Sequence, residues 1–194
     1  MCLNAIDDLF AAFAESTSAF GVRAGVQIGT PPVVFASHGL DARSPASGLD
    51  PEGRFRIGSL TKTFTSAMVL GLIGDDQLDL DDRLATWLPD YPRAADISVR
   101  QLLVHTAGTA DPIFDDVDAH LTMLLADPAR CFTTDEVVGF AGGLPPFAEP
   151  GDTYRYSNTD YHLLGAIVEQ ISSSTFGSCL LSVADSSGLR QTSM

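Results

Sequence analysis

Near the start of the chain Leu3, Ile6, Leu9, Phe10 and Phe13 recur at helical spacing, with Asp7, Asp8 and Glu15 off that stripe, which predicts an amphipathic helix covering a sheet. Residues 22 to 28 and 33 to 37 are short β-rich runs around Gly29-Thr30-Pro31-Pro32, the composition of an antiparallel hairpin. Residues 39 to 53, rich in Gly, Pro, Ser and Asp, read as a loop, and residues 54 to 57 as an extended piece leading through Gly58 into a helix at Ser59. That helix carries Phe64, Met68, Leu72 and Ile73 and belongs inside a core. Ser98-Val99-Arg100-Gln101 is a capping box opening a short helix that ends at His105-Thr106-Ala107-Gly108. Further helices are expected over residues 117 to 126 and 135 to 141, the second introduced by Thr133-Thr134-Asp135-Glu136. A proline-flanked aromatic loop, residues 145 to 158, then precedes a helix capped by Asn158 or Thr159 and striped by Leu163, Leu164, Ile167 and Val168. One more helix falls around residues 176 to 183. The pattern is α+β, with a sheet fragment over residues 1 to 57 and a mainly helical part over residues 58 to 194.

Composition narrows the possibilities. A chain of 194 residues, 45% hydrophobic, can build one domain with a real core or a large part of a bigger one. Its net charge of −14, carried mostly by 20 aspartates, argues against nucleic acid or an anionic membrane as a partner. Cys2, Cys131 and Cys179 are odd in number and widely spaced, which fits free thiols rather than disulfides or metal ligands. His38, His105, His120 and His162 share no ligand spacing, so no metal or other cofactor is expected. The acidic run from Asp75 to Asp82 lacks the alternation and central glycine of a calcium loop and reads as a solvated turn and helix start. No apolar run reaches membrane-span length; residues 67 to 73 stop at Gly74-Asp75-Asp76. The N-terminus has no positive residue and two early acids, so as written it is no signal peptide and a cytoplasmic chain is expected, with a periplasmic or secreted one if the N-terminus is incomplete.

Lys62 is the only lysine, against ten arginines. A guanidinium stays protonated, whereas an ammonium on a desolvated helix face can release its proton and act as a base. Ser59 lies three residues earlier, on the same helical face, and the free N–H groups of a helix N-terminus favour an alkoxide or oxyanion there. With 17 serines in 194 residues, such a pairing arises by chance about one time in eleven, so the tetrapeptide needs corroboration. By itself His105, after three apolar residues, reads as a packed or hydrogen-bonded structural histidine, with a direct catalytic role as the rival. Tyr156 reads as a packed loop aromatic, and Asn158 as a helix cap.

Gly58-Ser59-Leu60-Thr61-Lys62, Leu102-Leu103-Val104-His105-Thr106-Ala107-Gly108 and Pro150-Gly151-Asp152-Thr153-Tyr154-Arg155-Tyr156-Ser157-Asn158 occur in that order. Together they resemble the serine β-lactamase and penicillin-binding-protein superfamily, nearest its class C β-lactamase, D-alanyl-D-alanine carboxypeptidase and esterase branch. The hairpin before Ser59 and the closing Gly188-Leu189-Arg190-Gln191-Thr192-Ser193-Met194 also look like parts of it. The resemblance implies a β-lactamase/transpeptidase-like fold with Ser59 as the acylated nucleophile, Lys62 and Tyr156 as its activating pair, and Asn158 orienting the substrate amide and bonding to Lys62. It implies structural support from His105, where alanine replaces the usual serine two residues on. The Ser59 N–H would be one oxyanion donor, and which of Lys62 and Tyr156 holds the proton at rest stays open. The substrate would be a small molecule or peptide: a β-lactam, a D-Ala peptide or an ester.

The third motif of that superfamily, Lys or His then Thr or Ser then Gly, does not follow Asn158. The sequence therefore resembles the N-terminal portion of such an enzyme, with later strands missing. Losing one oxyanion donor typically costs about a hundred- to a thousandfold in rate, so impaired hydrolysis is expected unless a C-terminal segment or another chain completes the sheet. The rival reading is a non-catalytic remnant or interaction module that retains the nucleophile motif.

Overall fold

The computed structural model describes residues 2–17, 21–27, 29, 34–41, 44–50, 53–127 and 132–193. They fall into two compact units, residues 1–56 and residues 57–194.

In the first unit, helix α1 (Cys2–Ser16) lies against strands β1 (Gly21–Val26) and β2 (Val34–Asp41). Ala14 is buried and Phe10 half-buried, while Leu9 and Phe13 are exposed. The inward stripe thus runs one residue later than the expected one, a turn of about 100° around the helix. Strands β1 and β2 pair antiparallel, from Gly21 opposite Gly39 to Val26 opposite Val34, as the hairpin pattern requires. Ile28, Thr30, Pro31, Pro32 and Val33 lie outside the described residues. Gly21 has a packing reason: a Cβ there would sit 2.8 Å from the Leu40 carbonyl oxygen.

The expected loop at residues 39 to 53 is corrected by a third strand, β3 (Ser44–Gly48), which pairs antiparallel with β2 in the order β1-β2-β3. Its sequence, Ser-Pro-Ala-Ser-Gly, has little β-propensity, so composition hid it. Tertiary pairing overrides that weak local preference, and a strand at the end of the order β1-β2-β3 is a position where a proline is tolerated.

The second unit opens with a 3-10 turn, Gly58–Leu60, that feeds α2 (Thr61–Gly74). Gly58 has φ 53°, in the left-handed region open to glycine. There follow α3 (Val99–Leu103), α4 (Pro112–Asp115), α5 (Val117–Ala126), α6 (Thr134–Gly142), α7 (Asn158–Ser172) and α8 (Phe176–Ser186). Helix α7 is the hub. It contacts α2, α3, α6 and α8, and its Leu163, Leu164, Ile167 and Val168 are all buried. Around them close Met68 and Val69 of α2, Val99 and Leu102 of α3, and Leu180 of α8. Gly165 faces α8, where a Cβ would make ordinary van der Waals contact with the Phe176 ring at 3.4 Å.

The expected capping box forms, Ser98 with Gln101 opening α3, and the expected cap of α6 is itself a capping box, Thr133 with Glu136. The short helix α4 was not evident from periodicity; Asp111 caps it and Pro112 starts it. The expected cap of α7 shifts by one residue: Ser157 is its N-cap, without a side-chain bond, and Asn158 is its first residue. The Asn158 side chain bonds Lys62 and Asp111. In the acidic run, Asp79 and Asp82 spend carboxylate oxygens on backbone N–H groups of the turn itself.

Candidate active site

The short links that precede α4 and α7 assemble the site. His105 adopts φ 58°, which turns the chain after α3. Its carbonyl then accepts from Arg155 N at 3.0 Å, while Thr106 O accepts from Gly151 N at 2.8 Å and Gly108 O from Phe147 N at 2.9 Å. These bonds zip the segment from His105 to Gly108 against the aromatic loop. Gly108 is needed for this approach, having φ 71° and Ala148 O only 2.3 Å from where a Cβ would lie. The zipper delivers Tyr156 and Asn158 to the N-terminus of α2.

There, Ser59 Oγ lies 2.8 Å from Tyr156 OH, and Lys62 Nζ donates to Ser59 Oγ at 3.3 Å and to Asn158 Oδ1 at 2.8 Å. Lys62 Nζ also lies 4.8 Å from the centre of the Tyr156 ring and 5.7 Å from that of Tyr161. Ser59 is exposed, while Lys62, Tyr156 and Asn158 are half-buried, so the serine is the most accessible of the four. Partial burial of Tyr156 opposes ionisation, but hydrogen bonds from Lys62 and Ser59 and the lysine charge outweigh it and hold the phenol below the ordinary tyrosine range. The four groups share one hydrogen-bonded centre, able to take a proton from the serine and return it. A cleft of about 820 Å3 opens beside it, lined by Ser59, Lys62, Asn158, Tyr161 and His162 among others.

His105 stands one layer back. Its Nδ1 is 3.1 Å from Asp160 Oδ2 and 3.3 Å from Ser157 N, and its ring lies 4.7 Å from the Tyr156 ring and 5.1 Å from that of Tyr161. Burial pushes the Asp160 carboxyl above the usual range, against the bonds from His105 and Thr109 that favour its charge. Thr109 Oγ1 donates to Asp160 Oδ1 at 2.7 Å and meets Ser157 Oγ at 2.9 Å.

Sequence reasoning missed Asp111, Thr109, Asp160 and Tyr161. Asp111 accepts from Asn158 N at 2.6 Å and Nδ2 at 2.9 Å, and Tyr161 OH donates to Leu103 O at 3.1 Å. The available signal was an aspartate and a proline just after the Gly108 turn, which together spell a helix start. Among the described residues no group of three potential metal ligands converges, and no helix is long and apolar enough to cross a membrane.

A serine and a lysine three residues apart at a helix start are thus met by a Tyr-x-Asn loop. The chain belongs to the beta-lactamase family, whose model matches residues 6–192. Among relatives, a putative fimbrial assembly protein FimD of Dichelobacter nodosus is 35% identical over 129 residues, covering 64% of this chain and 31% of that protein. Penicillin-binding protein 4* of Bacillus subtilis is 30% identical over 125 residues, covering 63% and 26%. Among solved structures, the D-amino acid amidase of Ochrobactrum anthropi in complex with L-phenylalanine amide matches with a TM-score of 0.79 at 27% identity, covering 92% of this chain and 49% of that one. The D-stereospecific amidohydrolase of a Streptomyces species matches with a TM-score of 0.76 at 28% identity, covering 88% and 50%. The fold is therefore β-lactamase/transpeptidase-like, and the chain spans about half the length of these solved relatives and under a third of the curated ones.

Proposed function

We propose that this chain carries the nucleophile half of a serine hydrolase working through an acyl-enzyme on Ser59. The observation that supports this most is the convergence of Tyr156 OH and Lys62 Nζ on Ser59 Oγ, at 2.8 Å and 3.3 Å. As Oγ bonds to the substrate carbonyl carbon, its proton passes to the Tyr156–Lys62 pair. The same pair returns that proton to the leaving nitrogen or oxygen as the carbonyl carbon's bond to it breaks. Water then attacks the ester and gives a proton to the pair, the bond from carbon to Oγ breaks, and Ser59 recovers its hydrogen. Tyr156, with its phenol held low by Lys62, is the nearer base, and Lys62 supplies the charge that favours the phenolate. The Ser59 N–H, in the turn ahead of α2, is one oxyanion donor. Asn158 holds Lys62 and offers its amide toward the cleft.

The substrate class is an amide, peptide or ester of modest size. The amidase and penicillin-binding relatives make D-configured amides, D-Ala peptides and β-lactams the first compounds to try. Donors that these residues do not supply would come from a further segment or a second chain completing the sheet. Intact-mass analysis after treatment with a fluorescent penicillin or a fluorophosphonate tests the reading. One adduct is expected on the wild type and none on Ser59→Ala. Equal labelling of both, or of neither while both are folded, refutes it and leaves the non-catalytic remnant.

A further inference from the structure

Asn158 touches Lys62 with one end of its side-chain amide, and Asp111 holds the other. Asp111 is 1% exposed. Its Oδ2 accepts from Asn158 N at 2.6 Å and from Asn158 Nδ2 at 2.9 Å, and its Oδ1 accepts from Ile113 N at 3.0 Å. An ionised carboxylate only accepts, so only the NH2 end of the amide can face it. The reverse orientation would set oxygen against oxygen at Asp111 and N–H against the Lys62 ammonium. With a buried carboxylate behind it, Asn158 has one workable orientation, and that orientation turns Oδ1 to Lys62 Nζ at 2.8 Å.

Asp111 is itself firmly placed. It caps α4, and its N–H donates to Asp115 Oδ2 at 2.8 Å. Asp115 is gripped by both terminal nitrogens of Arg155, at 2.6 Å and 3.2 Å, next to Tyr156 in sequence. The other charged or titratable groups nearby are Lys62 of α2, His105 after α3, Tyr156, and Asp160 and His162 of α7. Of the carboxylates, Asp160 is turned to His105 and Thr109, which leaves Asp111, among the described residues, as the one on Asn158.

We propose that Asp111 is a positioning residue of the Ser59 centre: its buried carboxylate fixes the Asn158 amide with Oδ1 toward Lys62, and so holds the lysine amine beside Ser59 Oγ. The consequence for rate rests on the serine-hydrolase reading; the geometry does not.

The sequence makes the test direct, because Asn4 and Asn158 are the only asparagines and Lys62 the only lysine. In protein carrying 15N-labelled asparagine, the Asn158 NH2 proton bonded to Asp111 is expected to exchange with solvent roughly ten- to a hundredfold more slowly than in a free asparagine amide, the range for a buried bond to a charged group. Asp111→Asn, whose own new side-chain amide appears as a third signal beside those of Asn4 and Asn158, should remove that protection from Asn158. In protein carrying 13C-labelled lysine, the single Lys62 signal should move in the same variant, and fluorophosphonate labelling of Ser59 should slow about tenfold or more. Ser98→Ala, which weakens the distant α3 cap, should lower stability and leave both signals at their wild-type positions. A wild-type Asn158 amide exchanging at the free rate overturns the proposal, as does an Asp111→Asn variant with unchanged exchange and an unmoved Lys62 signal. If Asp111→Asn does not fold, the wild-type exchange decides alone. If Ser59 labels in neither protein, the hydrolase reading fails while the amide exchange still decides this one.

Discussion

Replacing Thr109 by valine removes one hydroxyl and almost nothing else, yet it should be among the costlier single changes near the site. Thr109 is 5% exposed and its neighbours Asp160 and Ser157 are 1% and 2% exposed, so water cannot substitute for the lost group. Its hydroxyl donates to Asp160 Oδ1 at 2.7 Å and accepts from Ser157 Oγ at 2.9 Å. Losing a bond to a charged group costs about 1.5–3 kcal/mol, and a buried hydroxyl left without a partner a similar amount. Asp160 keeps His105 and can answer partly by protonating, so the net loss should be about 2–3 kcal/mol, or roughly 4–12 °C in Tm for a chain of this size. Urea unfolding of wild type and Thr109→Val at neutral and mildly acid pH measures it. The sign with pH follows from Asp160, whose carboxyl already lies above the usual range in the folded protein. A raised carboxyl favours the folded state as pH falls, and Thr109→Val raises it further, so the gap between the two proteins should narrow on acidification. A loss under about 0.5 kcal/mol, or a gap that widens toward acid, would mean the Thr109 bonds do not support the loop as described.

Thr159 makes the opposite case: it is 1% exposed and, among the described residues, its hydroxyl has no partner, so Thr159→Val should leave urea stability unchanged or raise it. Lys62→Arg keeps the positive charge but not a releasable proton, so Ser59 labelling should fall about a hundredfold or more while circular dichroism stays that of wild type. An ultraviolet titration of the four tyrosines should show one ionising early and one very late. The early one should vanish in Tyr156→Phe, because Lys62 and Ser59 hold that phenol low, and the late one in Tyr91→Phe, because burial pushes that phenol far up. By linkage, the Tyr156 contribution to stability is present above the ordinary tyrosine range and lost as pH falls through its lower folded value; that of Tyr91 is present below the ordinary range and lost as pH rises.

Much of the helical unit was legible because its signals are local. The capping boxes at Ser98 and Thr133 require only side chains three residues apart, and the stripe Leu163, Leu164, Ile167, Val168 needs only the helical period to mark the buried face of α7. Strand β3 was not legible, since Ser-Pro-Ala-Ser-Gly owes its extended form to β2 rather than to itself. The stripe of α1 was misplaced by one residue because Leu9 and Phe13 are apolar without being inside. Asn158 was read as a cap from its position before a helical pattern and, from the family resemblance, as a partner of Lys62, but no local rule could reveal that Asp111, distant in sequence, claims the other end of its amide.

By itself the sequence determined the chemical identities: one lysine three residues after a serine, and a Tyr-x-Asn loop able to meet them, together enough to imply the family. It could do so because each of those segments carries its pattern within a few consecutive residues. Only the tertiary structure decided how the groups are oriented. The 2.8 Å contact from Ser59 to Tyr156, the network of Asp160, His105, Thr109 and Ser157 behind it, and the grip of Asp111 on Asn158 all join residues far apart in the chain. Their energies arise from burial and donor–acceptor matching, quantities that exist only once the helices have packed.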